Sequence, residues 1–231
     1  ICGKSSIHCG IKKRSCSVNS NSGGSILRVK EWIIKIAIII SGSILAAYGM
    51  TLAIHAGYGG ATLAILWVGV SKVTGMSIGM ASFLIAICMI VFVFFYDRRQ
   101  IHIGTIIYQV VYSSCLDIFG TVHKYSGIRW IDFVIMCVGI AVFATGTGLY
   151  ASADLGRGSY EALTFSLAGK NHWLVKNVRM ALDILLAASG VALGGTFGAC
   201  TIVTILISGP IIQVISRTMQ KKLNKIAIAK K

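Results

Sequence analysis

The sequence predicts an all-α polytopic membrane protein: six transmembrane helices plus two short half-helices, arranged as two inverted three-span repeats. Three observations lead there. The 231 residues are 55% hydrophobic and only 13% charged, with mean hydropathy +0.79, whereas roughly a quarter of a soluble domain's residues carry charge. Several uncharged runs approach or exceed the ~20 residues that a helix needs to cross a bilayer core. The chain also repeats itself with a shift of 97 residues. It holds one Pro and 26 Gly, and Gly is frequent in transmembrane helices. The apolar runs are continuous rather than alternating, which argues against a β-barrel.

Residues 1–30 read as a disordered, basic N-terminal extension, rich in Ser and Gly. Its Cys2, Cys9 and Cys16 stand seven apart, not in the close pairs of a zinc site. No apolar stretch follows its positive charges before residue 32, so it lacks the pattern of a signal peptide. The first repeat covers residues 31–119. A span from about Trp32 to His55 leads into a glycine corner, "HAGYGGAT", and a short apolar stretch from Leu63 to Lys72. Spans over Ser77 to Tyr96 and Ile103 to Phe119 flank the charged loop "DRRQIH".

After a linking loop at 120–129, the second repeat covers residues 130–216. A span from Trp130 to Ala153 ends in a second corner, "ADLGRGS", followed by a short stretch from Tyr160 to Gly169. A span from Val175 to Leu193, the turn "GGTFG" and a final span from Ala199 to Ser216, with Pro210 inside it, complete the repeat. Residues 217–231 form a basic tail. Cys88, Cys115, Cys137 and Cys200 lie in apolar runs and read as small core residues, not disulfide partners.

The repeat rests on small residues in one register. Gly42 falls on Gly139, Ala47 on Ala144, Gly49 on Gly146, Leu52 on Leu149, Ala56 on Ala153 and Gly59 on Gly156. Thr105 and Thr201 match with a one-residue gap. The two short stretches are about half the length needed to cross. With three spans in each repeat, the halves insert in opposite orientations. If both short stretches crossed, there would be eight spans. The positive-inside rule ties between the two arrangements: Arg98, Arg99 and Arg157 exchange sides with Lys72, Lys124 and Arg129, while Lys170, Lys176 and Arg179 stay inside. Length selects six.

The net charge of +15 is concentrated at the ends. Lys4, Lys12, Lys13, Arg14, Arg28 and Lys30 precede the first span, and Arg217, Lys221, Lys222, Lys225, Lys230 and Lys231 follow the last. Such flanks place both termini in the cytoplasm, against the anionic headgroups of an inner (plasma) membrane. The bilayer is therefore the expected partner. Nucleic acid is not, because no aromatic or fold signature accompanies the basic tails.

The corners offer the candidate chemistry. Gly59-Gly60-Ala61-Thr62 and Gly156-Arg157-Gly158-Ser159 share one pattern, and each opens a short helix. Thr62 and Ser159 suit N-caps, and a half-helix N-terminus attracts anionic groups. The plain alternative is a tight turn and nothing more. Asp154, Arg157 and Glu161 charge the second corner alone, because Gly57, Gly60 and Ala64 stand opposite them. They are either part of a site or an interfacial cluster worth little energy. Asp183 lies about two turns into a span, where a carboxylate is costly unless paired or hydrated. Arg179, four residues earlier, is on the same helix face. His55, His102, His123 and His172 have no metal-binding spacing. There is no Walker loop, zincin motif or nucleophile elbow, so neither enzymatic catalysis nor a cofactor is expected.

"GTGLYASADLGRGSYEALTFSLAGK", "VKNVRMALDI" and "GGTFGACTIVTILISGP" resemble the YczE/YyaS/YitT family of bacterial membrane proteins. In the first half, "GYGGATLAILWVGVSKVTGMSIGMASFLI" and "IHIGTII" show the same pattern. The resemblance covers about Glu31 to Ser216. One departure is Cys200, where the family has Gly; the first half keeps Gly104-Thr105. YitT-type members usually add a soluble C-terminal domain, and the sequence is expected to stand closer to the YczE type. The resemblance implies a bacterial inner-membrane protein and names no substrate. The function expected is a small secondary transporter or permease. Its solute would sit between Thr62 and Ser159, with Arg157 favouring an anion. The alternative is a non-transporting protein that supports an envelope or membrane-bound assembly.

Overall fold

The computed structural model describes residues 23–98, 101–122, 127–153, 155, 156 and 158–229. Among the described residues there are eight α-helices and no strand. They are α1 (Gly23–His55), α2 (Thr62–Thr74), α3 (Ile78–Tyr96), α4 (Ile103–Val122), α5 (Arg129–Ser152), α6 (Ser159–Asn171), α7 (Val175–Ala192) and α8 (Ala199–Ala229). The first helix starts at Gly23, inside the segment expected to lack structure; the expected disorder of residues 1–22 lies outside the described residues. The last helix continues through the basic tail to Ala229.

Five of these helices are long and apolar enough to cross a membrane: Trp32–His55 in α1, Ile78–Tyr96, Ile103–Thr121, Arg129–Ser152 and Ala199–Lys221. The chain is thus a multi-pass membrane protein. The short helices α2 and α6 have 13 residues each, about 20 Å at 1.5 Å per residue against a core of ~30 Å. The α7 helix has 18 residues, and Lys176, Arg179 and Asp183 lie in its sequence. Outward-facing rows such as Met80, Leu84, Ile87 and Val91 on α3, or Trp130, Val134 and Val138 on α5, are exposed and apolar, as contact with lipid requires.

The centre of the molecule is the crossing of α1 and α5, where glycines let two backbones touch. A Cβ added at Gly42 would stand 2.8 Å from the Gly146 carbonyl, and one at Gly146 would stand 2.6 Å from the Gly42 carbonyl. Gly49 and Gly139 face each other in the same way, at 2.5 and 2.7 Å. Around this seam Ile39, Ala46, Ala47, Met50, Tyr108, Tyr112 and Tyr150 form the main core.

Each corner is held by the far half of the chain. The Cys200 N–H donates to the Tyr58 carbonyl (3.1 Å), and the Gly104 N–H donates to the Leu155 carbonyl (3.1 Å). The Thr201 hydroxyl, at the start of α8, donates to the Gly60 carbonyl (2.6 Å). Gly59 (φ +91°) and Gly156 (φ +132°) occupy left-handed backbone that side chains rarely adopt. The helix contacts are reciprocal too: α2 packs on α7 and α3 on α6, while α1 packs on α4 and α5 on α8.

Asp117, late in α4, caps the neighbouring helix. Its Oδ1 accepts from the Gly79 N–H (2.7 Å), and its Oδ2 accepts from the Ser77 hydroxyl (2.6 Å). Ser77 in turn accepts from the Met80 N–H at the start of α3. A carboxylate suits that end of the helix dipole. Deeper along the same seam, the Ser82 and Ser113 hydroxyls meet at 3.0 Å, and Gln109 Nε2 donates to Ser113 (3.0 Å). Cys88, Cys115, Cys137 and Cys200 are free thiols.

Candidate functional site

The two short helices begin at one cavity of about 560 Å³. Thr62 from α2 and Gly158, Ser159, Tyr160 and Glu161 from the start of α6 line it, together with Arg179 and Asp183 from α7. α4, α5 and α8 add Tyr108, Gln109, Thr147, Tyr150, Thr201 and Thr204 to the lining.

The expected capping role is corrected. α2 starts at Thr62 with Ala61 as N-cap, and α6 starts at Ser159 with Gly158 as N-cap; neither end has a side-chain cap. Thr62 and Ser159 are therefore one residue too far along for their oxygens to accept from the first-turn N–H groups. The Thr62 hydroxyl turns outward and donates to Asp183 Oδ1 across the gap between α2 and α7 (3.0 Å). The Tyr160 hydroxyl donates to the same oxygen (2.7 Å). One carboxylate oxygen thus joins both short helices to α7. The partners that the structure gives Asp183 are hydroxyls, while the Arg179 guanidinium stands over the Tyr160 ring, 5.6 Å from its centroid. That placement is a cation–π contact.

Part of the lining is a ladder of aromatic rings from α2, α4 and α5. Trp67 meets Tyr112 edge-on (centroids 6.0 Å apart), Tyr112 stacks near Tyr108 (5.4 Å), and Tyr108 stacks on Tyr150 (4.0 Å). Trp67 is 7% exposed and Tyr112 only 2%. Among the described residues, neither Trp67 Nε1 nor Tyr112 Oη has a hydrogen-bond partner, although buried polar atoms normally have one.

Of the residues singled out in the sequence, Thr62, Gly158, Ser159, Glu161, Arg179 and Asp183 come together around this cavity. Gly59 and Gly156 do not line it. Gly59 abuts Gly198 and Thr196, and Gly156 abuts Thr105 and His102, so their role is close backbone approach. Asp154 and Arg157 lie outside the described residues. The sequence reading missed Tyr160 and the aromatic ladder. A signal for the ladder exists: Tyr108 and Tyr112 are four residues apart in one span and so share a helix face. Among the described residues no group of three or more His, Cys, Asp or Glu is placed to hold a metal.

Residues 33–217 match the model of a family of unknown function, DUF6198. The chain is 28% identical over 195 residues to the uncharacterized membrane protein YczE of Bacillus subtilis (strain 168), covering 80% of this chain and 86% of that protein. It is 25% identical over 178 residues to an uncharacterized protein of Haemophilus influenzae, covering 77% of this chain and 81% of the other. No solved structure matches.

Proposed function

The chain belongs to the DUF6198 family, and on that premise we propose that it is a small secondary transporter or permease, not an enzyme. Its solute binds in the cavity between α2 and α6. The observation that carries the reading is the convergence of two interrupted segments on one cavity: the first residues of both 13-residue helices line it, and both helices bond to Asp183. Discontinuous helices meeting at a shared site are how many transporters build their substrate sites.

The proposed architecture is six crossings, with α7 crossing and α2 and α6 entering without crossing, in two inverted repeats over residues 31–119 and 130–216. Both termini are then cytoplasmic, at the inner membrane. Support comes from the reciprocal contacts. In this arrangement a two-fold axis in the membrane plane exchanges α1 with α5, and so exchanges the Gly42–Gly146 approach with the Gly139–Gly49 approach. It also exchanges the Cys200–Tyr58 bond with the Gly104–Leu155 bond. Alternating access is then a rocking of one half against the other about the α1–α5 seam.

The test is accessibility from each side. A single cysteine replacing Thr204, in a chain with its native cysteines substituted, should react with a membrane-impermeant thiol reagent from either face of oriented vesicles. A cavity that opens to neither face would favour the non-transporting role in an envelope or membrane-bound assembly.

A further inference from the structure

We infer that the solute of this cavity is a protonated amine that carries a hydrogen-bond acceptor at its far end and an apolar body between. This rests on the reading of the cavity as a solute site and goes further by naming the solute's chemistry.

One end is set by Asp183. Both hydrogen bonds that the described residues give its carboxylate fall on Oδ1, from Thr62 and Tyr160. Oδ2 is left as an acceptor on a half-buried side chain that lines the cavity. That oxygen can accept a charge-assisted hydrogen bond from a cationic donor on the solute. The adjacent Tyr160 ring already holds a guanidinium, that of Arg179, on its face. With that face taken by Arg179, the Asp183 Oδ2 is the group that an ammonium meets.

The other end is set by Trp67 and Tyr112. Both rings line the same cavity and both are more than nine-tenths buried. Indole Nε1–H is a donor only, and among the described residues it has no acceptor, nor does Tyr112 Oη have a partner. A buried donor left unpaired is costly, and an acceptor on the solute removes that cost. Met50, Phe143 and Ile205 also line the cavity, and they suit an apolar or aromatic body. The volume of about 560 Å³ is ample for one ring and a short chain.

Three probes separate the features. 4-Methoxyphenethylamine has the ammonium and the acceptor, phenethylamine lacks the acceptor, and 4-methoxyphenylacetate puts an anion on the same body. Binding is read by thermal shift of the purified protein and, with Trp32, Trp130 and Trp173 replaced by Phe, by Trp67 emission. The methoxy amine should bind tighter than phenethylamine, and the acetate should not compete. Asp183→Asn should weaken the amine roughly tenfold or more, and Trp67→Phe should abolish the difference between the two amines. The inference is overturned if the acetate binds in place of the amines, if neither amine binds, or if both substitutions leave amine affinity unchanged. Should Asp183→Asn fail to fold, the ligand comparison in wild type and Trp67→Phe still decides. A cavity open to both faces that binds no amine would remove this inference and leave transport standing; amine binding in a cavity closed to both would do the reverse.

Discussion

Asp183 takes hydrogen bonds from two residues on two different helices, and that is what makes it more than a costly charge in an apolar helix. Thr62 lies 121 positions before it and Tyr160 lies 23 before it. A double-mutant cycle with Thr62→Val and Asp183→Asn should show coupling of about 0.6 kcal/mol, with ~1.7 as an upper bound, since interhelical hydrogen bonds in membranes fall in that range. Denaturation of the purified protein measures it; additive effects would mean that the bond is not made. The sequence pointed to Asp183 because position and charge alone mark such a residue. It pointed to Arg179 as its natural neighbour, and here spacing misled. The (i, i+4) rule describes only what one helix can do alone, whereas α2 and α6 bring hydroxyls that a single-helix reading does not contain.

At the scale of the element, the glycines decide how closely helices meet. The α1–α5 seam uses Gly42, Gly49, Gly139 and Gly146 to bring carbonyls where a side chain would otherwise stand. Gly49→Ala puts a methyl group against the Phe143 backbone and the Gly139 carbonyl. It should destabilise the protein by about 1–3 kcal/mol, the usual cost of overpacking, seen as a lower unfolding midpoint. Gly75→Ala is the control for the seam, because its Cβ would meet nothing within 4 Å; any loss there comes from its left-handed backbone (φ +71°) alone. The apolar runs show where helices lie because hydrophobicity is a local property. They do not show how helices end: Thr62 and Ser159 look like caps in sequence, and the chain places each one position inside its helix. Asp117 is the converse case, a carboxylate within an apolar run that works as the cap of a different helix.

For the whole molecule, the number of crossings sets which side of the membrane each loop faces. Five helices meet the length and hydropathy of a span, and α7 adds three charged residues to 18 positions. The six-span arrangement puts residues 120–129 outside the cytoplasm. A reporter inserted there should give the extracytoplasmic signal, and a cytoplasmic signal would sink that arrangement. Charge counting cannot substitute for this measurement, since the two topologies tie on it.

What the sequence determined by itself was the class and the place: a helical membrane protein with two glycine corners and a few charges worth following. Those properties follow from composition, run length and register, which any stretch of chain carries without its neighbours. The cavity was decided by tertiary structure. Trp67, Tyr108, Tyr112 and Tyr150 are unremarkable apolar residues of three separate helices until the α1–α5 seam and the corner clamps stack their rings on one wall. Asp183 acquires its two hydroxyls in the same step. Contacts between residues a hundred positions apart depend on helix packing, and packing depends on which small residues let two backbones close.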